Sequence, residues 1–153
     1  MISETLQQDP IVASLAGLAV AAKFEFGELT VEIDPAQIVE ALRRVKHDLQ
    51  FERLTSVTGV DRYPAEPRYE VVYHLQAIAA KKRLRLKARV SGAKPEIDSV
   101  TGIYRGAEWY ERETFDLFGI TFLSHPNLIR IMMPEDWEGH PLRKDYPITG
   151  TRY

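Results

Sequence analysis

Tyr69-Glu70-Val71-Val72-Tyr73-His74-Leu75-Gln76 and, beyond Lys81-Lys82, Arg83-Leu84-Arg85-Leu86-Lys87-Ala88-Arg89-Val90 decide the fold of this 153-residue chain. Side chains alternate in both runs, so Tyr69, Val71, Tyr73 and Leu75 share one face of a strand and Leu84, Leu86, Ala88 and Val90 one face of another. Lys81-Lys82 can turn between them, and the two runs are expected to pair as an antiparallel hairpin. Upstream, Phe51 to Val60 has the β-branched content of a strand, and residues 61–68, with two prolines, read as a loop. Phe24 and Phe26, then a turn at Gly27-Glu28, then Leu29, Val31 and Ile33 read as a short hairpin or bulged strand.

Helices must cover the apolar face of such a sheet. Asp34-Pro35 is a helix start, with Gln37 placed as in a capping box and Ile38, Leu42, Val45 and Leu49 on one face. Asp9-Pro10 repeats the signal, and the apolar stretch Ile11 to Ala22 reads as a core helix far short of the ~20 residues that span a bilayer. Asp98 and Ser99 can cap a helical turn through Tyr104. A longer helix is expected over about 107–118, stopped by Gly119. Beyond it only Leu128 to Met133 looks like a strand, and 134–153 shows no period. The expected fold is α+β: a two-layer domain, residues 1–133, with helices packed on a mixed or antiparallel sheet, and an irregular C-terminal arm, 134–153, of the same domain. Trp137, Leu142, Tyr146, Ile148 and Tyr153 carry too much apolar surface for a solvated tail, so the arm is expected to order on a partner.

Composition excludes several functions. With no cysteine the chain offers neither thiol catalysis nor thiolate ligands for zinc or iron–sulfur clusters. Twenty Lys and Arg against 22 Asp and Glu give a net charge of -2, so no global field draws nucleic acid or anionic lipid. The segment before Ile11 carries Glu4 and Asp9 but no Lys or Arg, unlike a secretory signal, which points to a cytoplasmic face.

Three constellations could carry function. Arg83, Arg85, Lys87 and Arg89 form a cationic face without interleaved aromatics, which reads as a solvated or edge strand guarded by charge, and secondarily as a dock for an acidic protein. Glu108, Glu111, Arg112, Glu113 and Asp116 crowd one helix. Glu111 and Glu113 diverge by about 200° around its axis, so one is expected to serve the fold and the other a partner, while Glu108–Arg112 and Arg112–Asp116 read as i,i+4 pairs. His125, Asp136, His140 and Asp145 could gather around a metal, but no ligand spacing supports it. No nucleophile elbow or phosphate loop occurs.

Tyr-Glu-Arg-Glu-Thr-Phe-Asp-Leu-Phe-Gly-Ile (110–120), His-Pro-Asn-Leu-Ile-Arg-Ile (125–131) and Pro-Glu-Asp-Trp-Glu-Gly-His-Pro-Leu-Arg-Lys-Asp-Tyr-Pro (134–147) closely resemble the C subunit, or 30 kDa subunit, of the proton-pumping NADH:quinone oxidoreductase, respiratory complex I. The resemblance implies a hydrophilic, non-catalytic member of the peripheral arm that packs against the neighbouring D subunit on the cytoplasmic side in bacteria and meets the membrane only through the complex. NADH, flavin, iron–sulfur clusters and quinone would be held by other subunits, and no cofactor by this chain. Partner-binding candidates are Glu111, Arg112, Glu113, Asp116, His125, Arg130, Trp137, His140, Leu142, Arg143, Lys144, Asp145 and Tyr146. Two other readings stay open: the equivalent subunit of a membrane-bound hydrogenase or plastoquinone oxidoreductase, and a free-standing enzyme or metal protein using Asp136 and His140.

Overall fold

In the computed structural model, which describes residues 2–150, β4 (Tyr69–Ala77) and β5 (Lys82–Val90) pair antiparallel from Tyr69 opposite Val90 to Ala77 opposite Lys82. The hairpin stands at the middle of a five-stranded sheet of order β1-β2-β5-β4-β3. β1 (Ala19–Glu25) and β2 (Glu28–Ile33) form an antiparallel hairpin on one side, and β3 (Arg53–Asp61) closes the other. β2 runs parallel to β5, with Leu29 opposite Leu84, so the sheet is mixed. Tyr69, Val71, Tyr73, Leu84, Leu86 and Ala88 all point into the core, as their alternation dictates.

Among the described residues four α-helices accompany the sheet: α1 (Glu4–Gln7), α2 (Pro10–Ser14), α3 (Ile38–His47) and α4 (Ala107–Phe118). Ile38, Ala41, Leu42 and Val45 of α3 are buried, one stripe at helical spacing. α4 packs along β3, where its Thr114 hydroxyl donates to the Val57 carbonyl at 3.3 Å. Gly59 of β3 leaves room for Phe118, since a Cβ there would stand 2.8 Å from the ring. A parallel pair, β6 (Glu96–Asp98) with β7 (Thr121–Leu123), ties the chain on either side of α4 together, burying Ile97 and Phe122.

Several expectations are corrected. The stretch Ile11 to Ala22 is not one helix: Gly17 adopts φ +83°, and the chain beyond it pairs with β2 as β1. Asp34 caps through Ala36 N–H at 2.9 Å, but Gln37 closes no capping box; α3 begins after a 3-10 turn at Pro35–Gln37. The short strand lies at Thr121–Leu123, not at Leu128 to Met133, because the backbone amides of residues 131–133 turn inward onto a carboxylate. The cationic strand is interior rather than an edge, and its face is offset by acids: Arg85 pairs with Glu28 and Arg89 with Glu32, while Lys87 and Arg89 flank the buried Glu70.

Candidate docking surface

The last four carbonyls of any helix lack intrahelical donors. In α4 all four find one. Gly119, at φ +76°, donates its N–H to Phe115 O. The His140 Nδ1–H donates to Asp116 O at 2.9 Å, Leu142 N–H to Leu117 O at 3.0 Å, and Arg143 Nε–H to Phe118 O at 2.6 Å. Gly139-His140-Pro141-Leu142-Arg143 is therefore a cap for α4, with a cation at the end where the helix dipole favours it. Gly119 is required twice over, since a Cβ would also sit 2.6 Å from the His140 ring. Burial lowers the pKa of His140, with Arg143 and Arg130 acting in the same direction.

One turn back, Asp116 is fully buried and organises the segment that follows. Its Oδ2 accepts the amides of Ile131, Met132 and Met133 at 3.1, 2.7 and 2.8 Å, and Oδ1 accepts from Arg130 at 2.9 Å. Arg130 donates onward to Gly139 O. Asp116 thus pairs with Arg130, not with Arg112 as the i,i+4 spacing suggested. Arg112 instead donates to Ile129 O at 3.2 Å and lies over the Trp109 ring.

The arm is held at a second point that sequence reasoning missed. Asp61, at the end of β3, accepts from the Arg68 guanidinium through both oxygens at 2.9 Å, and its Oδ2 also accepts Lys144 N–H at 2.8 Å. Arg68 reaches on to Asp145 at 2.7 Å and stacks over Tyr63 and Tyr69. The Arg68 bonds hold the Asp61 carboxyl far below its ordinary range. The available signal was an acid and an arginine at opposite ends of a proline-bearing loop, seven residues apart. Residues 140–145 therefore lie on the chain's own domain, where an arm free until docked was expected. Tyr153, counted among its aromatics, lies outside the described residues.

Glu111 and Glu113 do diverge. Glu113 is exposed. Glu111 is fully buried, accepting from Ser99 Oγ at 2.6 Å and Val100 N–H at 2.7 Å, and burial raises its pKa to about 7. His125 accepts Asn127 N–H at Nδ1, so Nε2 carries the proton and donates to Glu108 O at 3.1 Å; that nitrogen lies 3.8 Å from Glu111. Glu111, Asp116 and His125 thus hold the chain's own backbone rather than face outward.

What remains outward is apolar with charge around it. Trp109, Ile129, Met132, Leu142 and Ile148 are exposed. Arg112 links the Trp109 ring to the backbone carbonyl of Ile129, and three residues on the Met132 amide is held by Asp116. Trp137 Nε1–H donates to Tyr146 at 3.2 Å, beside a groove of about 500 Å³ that also takes in Met133, Lys144 and Ile148. Glu113, Lys144 and Asp145 are exposed with it. Apolar side chains rimmed by charge are the composition of protein interfaces in general.

Chemistry finds less footing. His140 is used as a cap, and among the described residues no group of three His, Asp or Glu could hold a metal. Ser56 and His74 stand 3.1 Å apart, but Arg85 can only donate to His74 Nε2, so Nδ1 carries a proton toward Ser56 and cannot act as its base.

Residues 31–152 match the family model of the respiratory-chain NADH dehydrogenase 30 kDa subunit. The chain belongs to that family. The C subunit of NADH-quinone oxidoreductase from Citrifermentans bemidjiense is 50% identical over 124 residues, covering 81% of this chain and 77% of that one. Nqo5, solved as a trypsin-resistant fragment, superposes with TM-score 0.64 at 29% identity, covering 70% of this chain and 88% of that one. A chain of the archaeal membrane-bound sulfane sulfur reductase reaches TM-score 0.77 at 29% identity over 90% of this chain and 84% of its own. The matched span of the 30 kDa family takes in α4, both anchors and the apolar patch, so this surface lies inside the family's own module.

Proposed function

We propose that this chain is a non-catalytic peripheral-arm subunit of a proton-translocating NADH:quinone oxidoreductase, docked to the D subunit through the surface formed by α4 and residues 127–150. The observation that carries this is the use of polar groups at that surface. Asp61, Asp116, Glu111 and His140 are spent on the fold, and Trp109, Ile129, Met132 and Leu142 are left outward. An interface of that composition binds protein, while flavin, iron–sulfur clusters and NADH fall to other subunits. No helix among the described residues is long and apolar enough to cross a membrane. The chain would then reach the bacterial plasma membrane, on its cytoplasmic side, through its partners.

Replacing Trp109 and Leu142 together by Ser should leave the isolated chain folded but remove it from the complex purified through the D subunit, with loss of NADH:quinone reductase activity in membranes. Normal assembly of that variant would overturn the assignment. The likeness to a sulfane sulfur reductase chain favours a second reading, the equivalent subunit of a related respiratory complex. A deletion strain whose membranes keep full NADH oxidation would select it.

A further inference from the structure

We propose that the end of the sheet bearing Phe26 is a second docking surface, which inserts Phe26 into an apolar recess of an acidic protein partner; the proposal rests on the reading of the chain as a subunit of a larger complex. Glu25 and Glu28 are register partners, so the β1–β2 turn has two residues, Phe26 and Gly27. Both are left-handed, at φ +53° and +76°. Such a turn favours Asn-Gly, because a bulky side chain at positive φ crowds its own backbone. Phe26 is 101% exposed, so nothing within the chain offsets that strain. Strain at a residue whose side chain meets only solvent points to a contact outside the molecule.

The surroundings define the partner. With Leu29 opposite Leu84 and Ala77 opposite Lys82, the β1–β2 and β4–β5 turns lie at one end of the sheet. Phe24 and Ile78 are also exposed there. A shallow groove of about 570 Å³ runs from Phe24 and Phe26 to Lys81, Lys82 and Arg83. The nearby acids are engaged: Glu25 with Lys23, Glu28 with Arg85, and Asp9 on Ile11 N–H. Among the described residues no carboxylate pairs with Lys81, Lys82 or Arg83. Three cations against the one carboxylate of Asp9, the other acid of the groove being paired with Arg85, leave a local positive excess beside an aromatic anchor, which suits an acidic protein surface with a pocket at its centre. Nucleic acid would want more stacking aromatics and a basic chain, whereas the net charge is -2.

This end is remote from the arm. Asp61 and Arg68 anchor the arm where β4 begins at Tyr69, and the cations lie beyond its end at Ala77. Nine extended residues separate this end from the arm's anchor by roughly 27 Å, whereas the start of α4 lies nearer, since Gly106 lines a groove with Ile78. The arm and the Phe26 turn can therefore meet different neighbours at once, with the length of the sheet between them.

The test places a photo-crosslinking benzoylphenylalanine at position 26 or, separately, at position 142 in the assembled complex. Crosslinks from 26 to a protein segment rich in Asp and Glu, distinct from the segment reached from 142, are expected. Crosslinks from 142 with none from 26, or from 26 to lipid, overturn this inference and leave the function standing. Absence of the chain from the purified complex overturns the function and the inference together. As a second measurement, Phe26→Asn should raise or preserve the melting temperature of the isolated chain while speeding its loss from the complex at least tenfold. Lys81→Glu with Lys82→Glu should do the same to retention without lowering the melting temperature. Unchanged retention in both variants overturns the proposal.

Discussion

Glu111 makes its burial measurable through pH. Desolvation lifts its pKa from 4.5 to about 7, against the Ser99 and Val100 bonds that favour the anion. Between those values the folded chain holds a proton that the unfolded chain has released, so the contribution of Glu111 to stability is greatest below about 4.5 and falls as pH rises to 7. At 1.36 kcal/mol per pH unit the loss is about 3 kcal/mol. Glu111→Gln can still accept from Val100 and can donate to Ser99, so its urea midpoint should lack this fall across that window, keeping the opposite rise that the lowered pKa of His140 contributes, and exceed wild type above pH 7. A variant that keeps the wild-type slope would assign the titration elsewhere. Asp116 has the opposite sign. Burial acts to raise its pKa, but the three amides of residues 131–133 and Arg130 bring it below the ordinary 3.8, so its contribution is present above that value and fades in acid. Asp116→Ala strands Arg130 and three amides, and should cost about 3–5 kcal/mol in chemical unfolding at neutral pH.

At the level of elements, alternation and capping signals carry far because they are local. The β4–β5 hairpin, the face of α3 and the span of α4 with its Gly119 stop all follow from residues within about twenty positions of one another. Failures arise where a distant group takes over a backbone. Residues 128–133 carry strand-like side chains, yet the amides of 131–133 belong to Asp116. The alternating cations of β5 suggest an edge, yet the sheet order depends on β2 arriving parallel beside them, which no local pattern encodes. Of the candidate site, the His140-to-Tyr146 motif was legible as a unit, but its use as a helix cap was not, since the carbonyls it serves have no sequence signature. Position within the sheet also changes what Arg85 does. It donates to Glu28 and Thr30 on β2 and to His74 on β4, cross-linking three strands through a half-buried side chain. Arg85→Gln should therefore cost about 1–2 kcal/mol in urea unfolding, above the roughly half kcal/mol of an ordinary surface change. Lys87→Gln should stay near that lower figure, and equal effects of the two would show that charge rather than the bonds of Arg85 matters.

For the whole molecule, the arm joins stability to assembly. Deleting residues 142–153 exposes the carbonyls of Leu117 and Phe118 at the end of α4 and removes the Lys144 amide and Asp145 from the Asp61–Arg68 pair. A net hydrogen bond is worth about 1 kcal/mol and a charge-assisted one about twice that. Four such losses exceed what a solvated tail could cost. The truncated chain should melt about 10 °C or more below the full chain, given roughly 2–4 °C per kcal/mol for a domain of this size. An arm that ordered only on its partner would leave the melting temperature unchanged. The truncation should also lose the D subunit, but that loss alone is ambiguous because a destabilised chain assembles poorly. Trp109→Ser with Leu142→Ser separates the two effects. Both side chains are exposed, and Leu142 serves α4 only through its backbone amide, which Ser retains. That double variant gives up the Trp109 ring over Arg112, worth about 1 kcal/mol, and should melt only about 2–4 °C below wild type, while failing to co-purify with the D subunit, placing recognition in the outward apolar residues and most of the stability in the inward polar ones.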